Sequence, residues 1–306
     1  MTAPRHLLSL FDLERDALAE VLDRGAWWRQ QRGRPDAPRP CAGRSVAIVF
    51  EKPSTRTRLS FEVAVHEMGG HPLVVQARDT QLGRGETLED TARTFGAYVH
   101  ALVLRTHAHQ RLEILAAHAG IPVVNALSDD FHPCQLVADL MTVRAHTGGR
   151  LEGVRVAWVG DGNNVAHDWI AAAARTGIEL VLACPPGYEP AAHVVDRARS
   201  LGARVELVTD PDAACRGADV VTTDVWASMG QEAEAEARRR AFEGWTVDAH
   251  RMRLAAPHAI FLHCLPAHRG EEVAAEVIDG PWSRVWEQAE NRLHGQKAIL
   301  EHVMRL

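Results

Sequence analysis

The chain reads as an α/β protein of two domains, each a mostly parallel sheet flanked by helices. Three observations carry that expectation. At roughly 150 residues per domain, 306 residues suggest two domains. Short β-rich runs alternate with amphipathic helical stretches, the pattern of parallel sheets covered on both faces. The alternation pauses at one long helical stretch closed by Gly148-Gly149, and then restarts.

Residues 9–31 predict a first helix, with Leu10, Leu13, Leu18 and Val21 on its apolar face. An Arg/Pro-rich connector, RGRPDAPRP, runs from it to near Gly43. Strands are expected at SVAIVF (Ser45–Phe50), HPLVV (71–75), ALVL (101–104) and PVV (122–124). Between them lie helical stretches at 58–68, 88–95 and 112–119, and a long one follows at 135–146. The second series is VRVAWV (154–159), LVLA (180–183), RVELV (Arg204–Val208), DVVTTD (219–224) and AIFLH (259–263). A last helix at 286–304 has the length to return to the first domain. The expected domains are therefore 1–146, with the C-terminal helix 286–306 packing back on it, and 147–285. There is no internal repeat with a period of 20–50 residues.

Composition excludes several classes. Thirty-four basic and 40 acidic residues give a net charge of −6, a poor basis for neutralising nucleic-acid phosphates. No apolar stretch reaches the ~18 residues of a membrane helix. The first apolar run breaks at Asp12, so no signal peptide is expected. Five cysteines, widely spaced and without a CxxC pair, form neither a disulfide framework nor a zinc site. A cytoplasmic location is the expectation. Lys52 and Lys297 are the only lysines, the other basic residues being arginine; a GC-rich codon bias accounts for that, and both lysines flank motifs.

The strongest local signal is FEKPSTRTR, residues 50–58, between a strand and a helix. Ser54, Thr55 and Thr57 offer hydroxyls at a helix N-terminus, where backbone N–H groups and the dipole favour an anion. Arg56 and Arg58 add planar donors suited to phosphate oxygens. The run lacks the spaced glycines and Gly-Lys pair of a Walker sequence. His132-Pro133-Cys134-Gln135 opens the long helix, placing a donor and an acceptor in its first turn. Arg105 ends a strand, and strand C-termini in open α/β sheets face the ligand crevice. Ser54–Thr57, Arg105 and His132–Gln135 thus converge on one sheet edge.

In the second half, Gly160-Asp161-Gly162-Asn163-Asn164 begins like a dinucleotide fingerprint. It lacks the later glycine, and no acid stands ~20 residues on. Asn163 and Asn164 suit a polar amino-acid head group instead. Asp224 and Cys264 each follow a strand, in DVWASMG and HCLP. Adjacent strand residues face opposite ways, so His263 and Cys264 are not expected to act as a nucleophilic pair. HEMGGH (66–71) breaks the one-face spacing of a zinc helix, and His107 and His109 read as solvated surface.

Taken together, FEKPSTRTRLSFE, HPCQLVADLMTV, GDGNNVAH, DVWASMGQE, HCLPAHRGEEV and AENRLHGQKAIL resemble the aspartate/ornithine carbamoyltransferase family from Leu7 nearly to the C-terminus. STRTR and HPxQ belong to the family as a whole; SMG and HCLP resemble its ornithine-type branch, and the arginine of the aspartate-type HPLPR is absent. Asp168-Trp169 departs from the family pattern, in which a serine is common nearby.

The resemblance implies an active site in the cleft between the domains, a homotrimer, and no cofactor or metal. It assigns Ser54, Thr55, Arg56 and Thr57 to phosphate, and Arg105, His132 and Gln135, with Pro133 and Cys134, to the carbamoyl group. Gln81 would reach a neighbouring subunit's site. Asn164, Asp224, Ser228 and Met229 would hold ornithine. Cys264 and Leu265 would lie between the substrates, and Arg292 would contact carbamoyl phosphate. Arg105, His132 and Cys264 are the implied catalytic residues. The residues also leave open a carbamoyltransferase for another acceptor, such as putrescine, aspartate or an acylated ornithine, and a non-catalytic binder of the same ligands.

Overall fold

The computed structural model describes residues 5–81, 85–227 and 234–306. The chain divides into two compact units, Met1–Met141 with Glu290–Leu306, and Thr142–Ala289.

The first unit opens differently from the single helix expected at 9–31. Leu10–Asp12 form one 3-10 turn, and the helix α1 (Arg15–Gln31) begins after a break. The cause is Asp12, whose carboxylate turns back to accept from the backbone N–H groups of Leu8 and Ser9 at 2.7 and 2.9 Å. Leu13 and Glu14 are consequently extended. The chain then alternates: β1 (Ser45–Phe50), α2 (Thr55–Glu67), β2 (His71–Gln76), α3 (Leu88–Tyr98), β3 (Ala101–Arg105), α4 (His109–His118), β4 (Val123–Leu127) and α5 (Pro133–His146). The sheet is parallel, in the order β2-β1-β3-β4. β1 and β3 are central and almost wholly buried, which is why they read as unbroken apolar runs.

The second unit repeats the scheme with β5 (Arg155–Val159), α6 (Asn164–Thr176), β6 (Glu179–Ala183), α7 (Ala192–Ser200), β7 (Arg204–Val208), α8 (Pro211–Cys215), β8 (Val220–Thr223), α9 (Ala235–Ala241), α10 (Ala249–Leu254), β9 (Ile260–His263) and α11 (Ala275–Ile278). Its sheet, also parallel, runs β7-β6-β5-β8-β9. Trp158 of β5 and Trp169 of α6 are fully buried in it. Asp168 is buried there too, so the Asp168-Trp169 departure from the family pattern lies inside the fold.

The last helix, α12 (Val285–Met304), carries its C-terminal part into the first unit. Glu301 takes a bidentate pair from Arg24 of α1, and Lys297 pairs with Glu67 of α2 at 2.5 Å. Lys297 also borders a cavity of about 520 Å³ lined by Trp28, Arg32, Arg39 and His66.

Both strand orders place a topological switch point where such sheets bind ligands. In the first sheet it falls between β1 and β3, and in the second between β5 and β8.

Candidate active site

At the first switch point the chain leaves β1 through Glu51-Lys52-Pro53 and enters α2. Ser54 caps the helix, its Oγ accepting from the Thr57 N–H at 3.2 Å, so the first-turn N–H groups face away from the helix body. Thr57 is fully buried; its hydroxyl accepts from Ser54 Oγ at 3.1 Å and from Arg292 Nη2 of α12 at 3.0 Å. Two ties hold the loop. Glu51 accepts from the Thr106 hydroxyl and from Arg111 at 2.7 Å, and Lys52 pairs with Asp129 after β4 at 2.5 Å. One of the two lysines thus joins the loops after β1 and β4.

Arg105 ends β3 at a register shift, where Leu104 faces Asn125 and Arg105 faces Leu127. Such a bulge re-aims a side chain at the sheet edge. His132 immediately precedes α5 and is buried, as is Gln135 in the first turn. Cys134 anchors that turn by donating its thiol to the Asn125 carbonyl at 3.3 Å. Burial, and then the charges of Arg292, Arg105 and Arg56, hold the imidazole of His132 well below its ordinary range. The charges of these three guanidiniums thus all act on His132 and favour its neutral form.

Arg58 and His109 differ from what their sequence context predicts. Arg58 is exposed and pairs with Glu62 one turn on, at 3.3 Å, as a solvated face of α2. His109 is not solvated surface: it is half-buried, hydrogen-bonded to Ser128 at 2.9 Å and edge-on to Phe131.

The state of His132 gives a testable result. Its imidazole resists protonation as the pH falls, whereas in the unfolded chain it takes up a proton below about pH 6.5. Its share of folding stability is thus complete above about pH 6.5 and declines below it. The ring-proton NMR signals of His132 are expected to stay flat from about pH 8 down to about 5.5. A titration centred near 6.5 would show that neither burial nor the three guanidiniums act on the ring as described.

At the second switch point, β5 leads through Gly160–Asn163 into α6. Gly160 adopts φ +140°, and a Cβ on Gly162 would lie 2.1 Å from the Pro190 nitrogen. These glycines serve the turn and a close backbone approach, which explains the start of a dinucleotide fingerprint without its ligand. Asn163 caps α6 with Oδ1 and donates Nδ2 to Asp224 Oδ2 at 2.8 Å. The other Asp224 oxygen accepts from the Val225 N–H at 2.8 Å and from the Cys264 thiol at 3.0 Å. Asn164 opens α6, half-exposed.

Arg238 of α9, which sequence reasoning passed over, bonds Asp161 at 2.9 Å and the Trp226 carbonyl at 3.0 Å. Burial outweighs that guanidinium and pushes the Asp161 carboxyl up to about 6. Ser228 and Met229 lie outside the described residues.

His263 and Cys264 do not act on each other. His263 Nδ1 accepts from the Leu265 N–H at 2.9 Å, and its Nε2 faces Glu272 at 3.2 Å. The thiol of Cys264 donates to Asp224 Oδ1 at 3.0 Å. Both ring nitrogens of His263 and the thiol of Cys264 are thus engaged with other groups. As potential metal donors, Asp224, His263 and Cys264 lie within 4.8 Å of one another, as do His268, Glu271 and Glu272. The bonds just described already occupy His263 and the Asp224–Cys264 pair.

Comparison with known proteins finds two family domains in the chain. Residues 5–145 match the aspartate/ornithine carbamoyltransferase carbamoyl-P binding domain, and residues 152–303 match the Asp/Orn binding domain. The chain belongs to the aspartate/ornithine carbamoyltransferase family. It is 56% identical to an ornithine carbamoyltransferase of Acidothermus cellulolyticus over 98% of this chain and 96% of that one. A Symbiobacterium thermophilum ornithine carbamoyltransferase is 52% identical over 98% of each. Among solved structures, the ornithine carbamoyltransferase from Pyrococcus furiosus superposes with a TM-score of 0.93 at 48% identity, covering 99% of this chain and 98% of that one. Arg56, Arg105 and Arg292 belong to the first unit and Asp224 to the second. Among the described residues no helix is long and apolar enough to cross a membrane.

Proposed function

We propose that the chain moves the carbamoyl group of carbamoyl phosphate to the side-chain amine of L-ornithine, giving L-citrulline and phosphate. One observation carries the reading: the chain divides its charge. Arg56, Arg105 and Arg292 gather about an uncharged His132 in the first unit, while in the second the Asp224 carboxylate is held by neutral donors. The first suits a small, highly charged anion, and the second suits an ammonium.

In this reading Ser54, Thr55, Arg56, Thr57 and Arg292 hold the phosphate. Attack by the amine places negative charge on the carbonyl oxygen, which Arg105, His132 and Thr57 stabilise. Pro133 and Cys134 shape the turn that presents His132 and Gln135. Asn164, Asp224, Ser228 and Met229 hold ornithine, with Cys264 and Leu265 near the reacting groups. Guanidiniums supply the positive charge that the leaving phosphate requires, so the reading calls for no metal or cofactor. The enzyme would work in the cytoplasm as a homotrimer in which Gln81 reaches a neighbouring subunit's site.

The nucleophile is an uncharged amine. An amine like that of lysine has a pKa of about 10.4 in water, so activity should rise toward alkaline pH. The deciding experiment is citrulline formation against a panel of acceptors including putrescine, aspartate and acylated ornithine. Product from ornithine alone supports the reading, and equal rates with aspartate overturn it.

Cys264 follows from the same chemistry. Its thiol is committed to Asp224, the group proposed to hold ornithine, and the His263 nitrogens are committed to Leu265 and Glu272, so the thiol is given a binding part and not that of a nucleophile. Cys264→Ser is expected to weaken ornithine binding and slow turnover without abolishing it, with sequential kinetics. A carbamoylated Cys264 trapped by mass spectrometry would refute direct attack.

A further inference from the structure

The helix that presents His132 also carries a carboxylate with no assigned part. Asp139 lies one turn beyond Gln135 on α5 and is 1% exposed. Gln135 Nε2 donates to Asp139 Oδ1 at 2.7 Å. The other end of the same amide, Gln135 Oε1, is buried and has no hydrogen-bond partner among the described residues.

The two ends of a glutamine amide are nearly equal in size, so only their partners decide which way the group faces. A carboxylate accepts and does not donate. With the amide reversed, two oxygens would meet at the distance now bridged by a proton, whereas the observed orientation makes a charge-assisted bond. Asp139 therefore selects one orientation and leaves an acceptor at the opposite end.

We propose that Asp139 is a positioning residue: it locks Gln135 with Oε1 toward the carbamoyl group, where it accepts an N–H, and so lets the first unit select carbamoyl phosphate over acetyl phosphate. The inference rests on the donor assigned under the proposed function. The two acyl phosphates share their phosphate and carbonyl ends and differ only in an amino group against a methyl. A buried acceptor penalises the methyl, because it is left without a donor. An amide free to turn would present its own N–H groups to those of the substrate, and the discrimination would fade.

The test compares the wild type with Asp139→Asn, whose side chain can face Gln135 with either oxygen or nitrogen. The readouts are the KM for carbamoyl phosphate and the competitive inhibition constants of acetyl phosphate and inorganic phosphate. Asp139→Asn is expected to raise the KM about tenfold while the two inhibition constants change by less than about twofold. Gln135→Leu should lose the same discrimination, and adding Asp139→Asn to it should change the ratio no further. Should Asp139→Asn fail to fold, Asp139→Ser carries the same comparison. If all three ligands weaken by one factor, or if the ratio stays at the wild-type value, Asp139 is merely structural and the inference falls. A wild type that makes no citrulline and does not prefer carbamoyl to acetyl phosphate overturns the functional reading itself. A preference kept in the variant overturns only the role of Asp139.

Discussion

Arg56→Ala is expected to weaken carbamoyl phosphate binding by several kcal/mol while the protein stays folded. Arg56 is partly exposed at the first turn of α2, and Ser54 caps that helix without it, so its removal spares the local structure. What it removes is a guanidinium that acts on His132 together with Arg105 and Arg292. A charge-assisted bond to phosphate contributes about 1.5–3 kcal/mol, and a planar guanidinium can make two. Arg292 and Arg105 remain, so binding falls without vanishing. Arg56→Lys should recover part of the loss, since it restores charge but not the fork. Calorimetry on the folded variants decides: unchanged donor affinity in Arg56→Ala would remove the phosphate cradle from this helix terminus.

Much of this cradle can be read from the sequence because its parts are local. The hydroxyls of Ser54 and Thr57 follow a β-branched strand within a few residues, and Arg105 ends a second apolar strand. The central strands are buried on both faces, so their apolar runs are continuous and their limits fall within a residue or two of expectation.

Misreadings arise where a side chain chooses between local and distant partners. The periodicity of residues 9–31 cannot show that Asp12 will accept from the backbone of Leu8 and Ser9. Arg58 carries the same chemistry as Arg56, but two positions further along the helix leave it to Glu62. The bond between Arg292 and Thr57 spans 235 positions, and no local pattern encodes it; the resemblance supplied Arg292. Arg238 had no such help, and its pairing with Asp161 appears only when α9 and the loop after β5 fold together. Asp139 was in plain view at i+4 from Gln135, a spacing that could have identified it.

The second large effect is expected at Asp224. Its carboxylate accepts from Asn163, Val225 and Cys264, which fix its position but bring no positive charge. Among the described residues no lysine or arginine pairs with it, so its charge remains for a ligand. An ammonium of ornithine meets that need, whereas the side chain of aspartate would add a second carboxylate and be repelled. Asp224→Asn keeps the size of the residue and removes the charge. Leaving a desolvated ammonium without its partner costs about 3–5 kcal/mol, which is roughly two to four orders of magnitude in affinity. Carbamoyl phosphate affinity should be untouched, because the residues proposed to hold it belong to the other unit. Citrulline formation by wild type and variant, measured across ornithine and carbamoyl phosphate concentrations, separates the two effects. The expected outcome is a loss confined to ornithine, with negligible carbamoyl-aspartate from either protein. Wild-type ornithine affinity in Asp224→Asn would mean that the acceptor's ammonium binds elsewhere, and the substrate assignment would have to be given up.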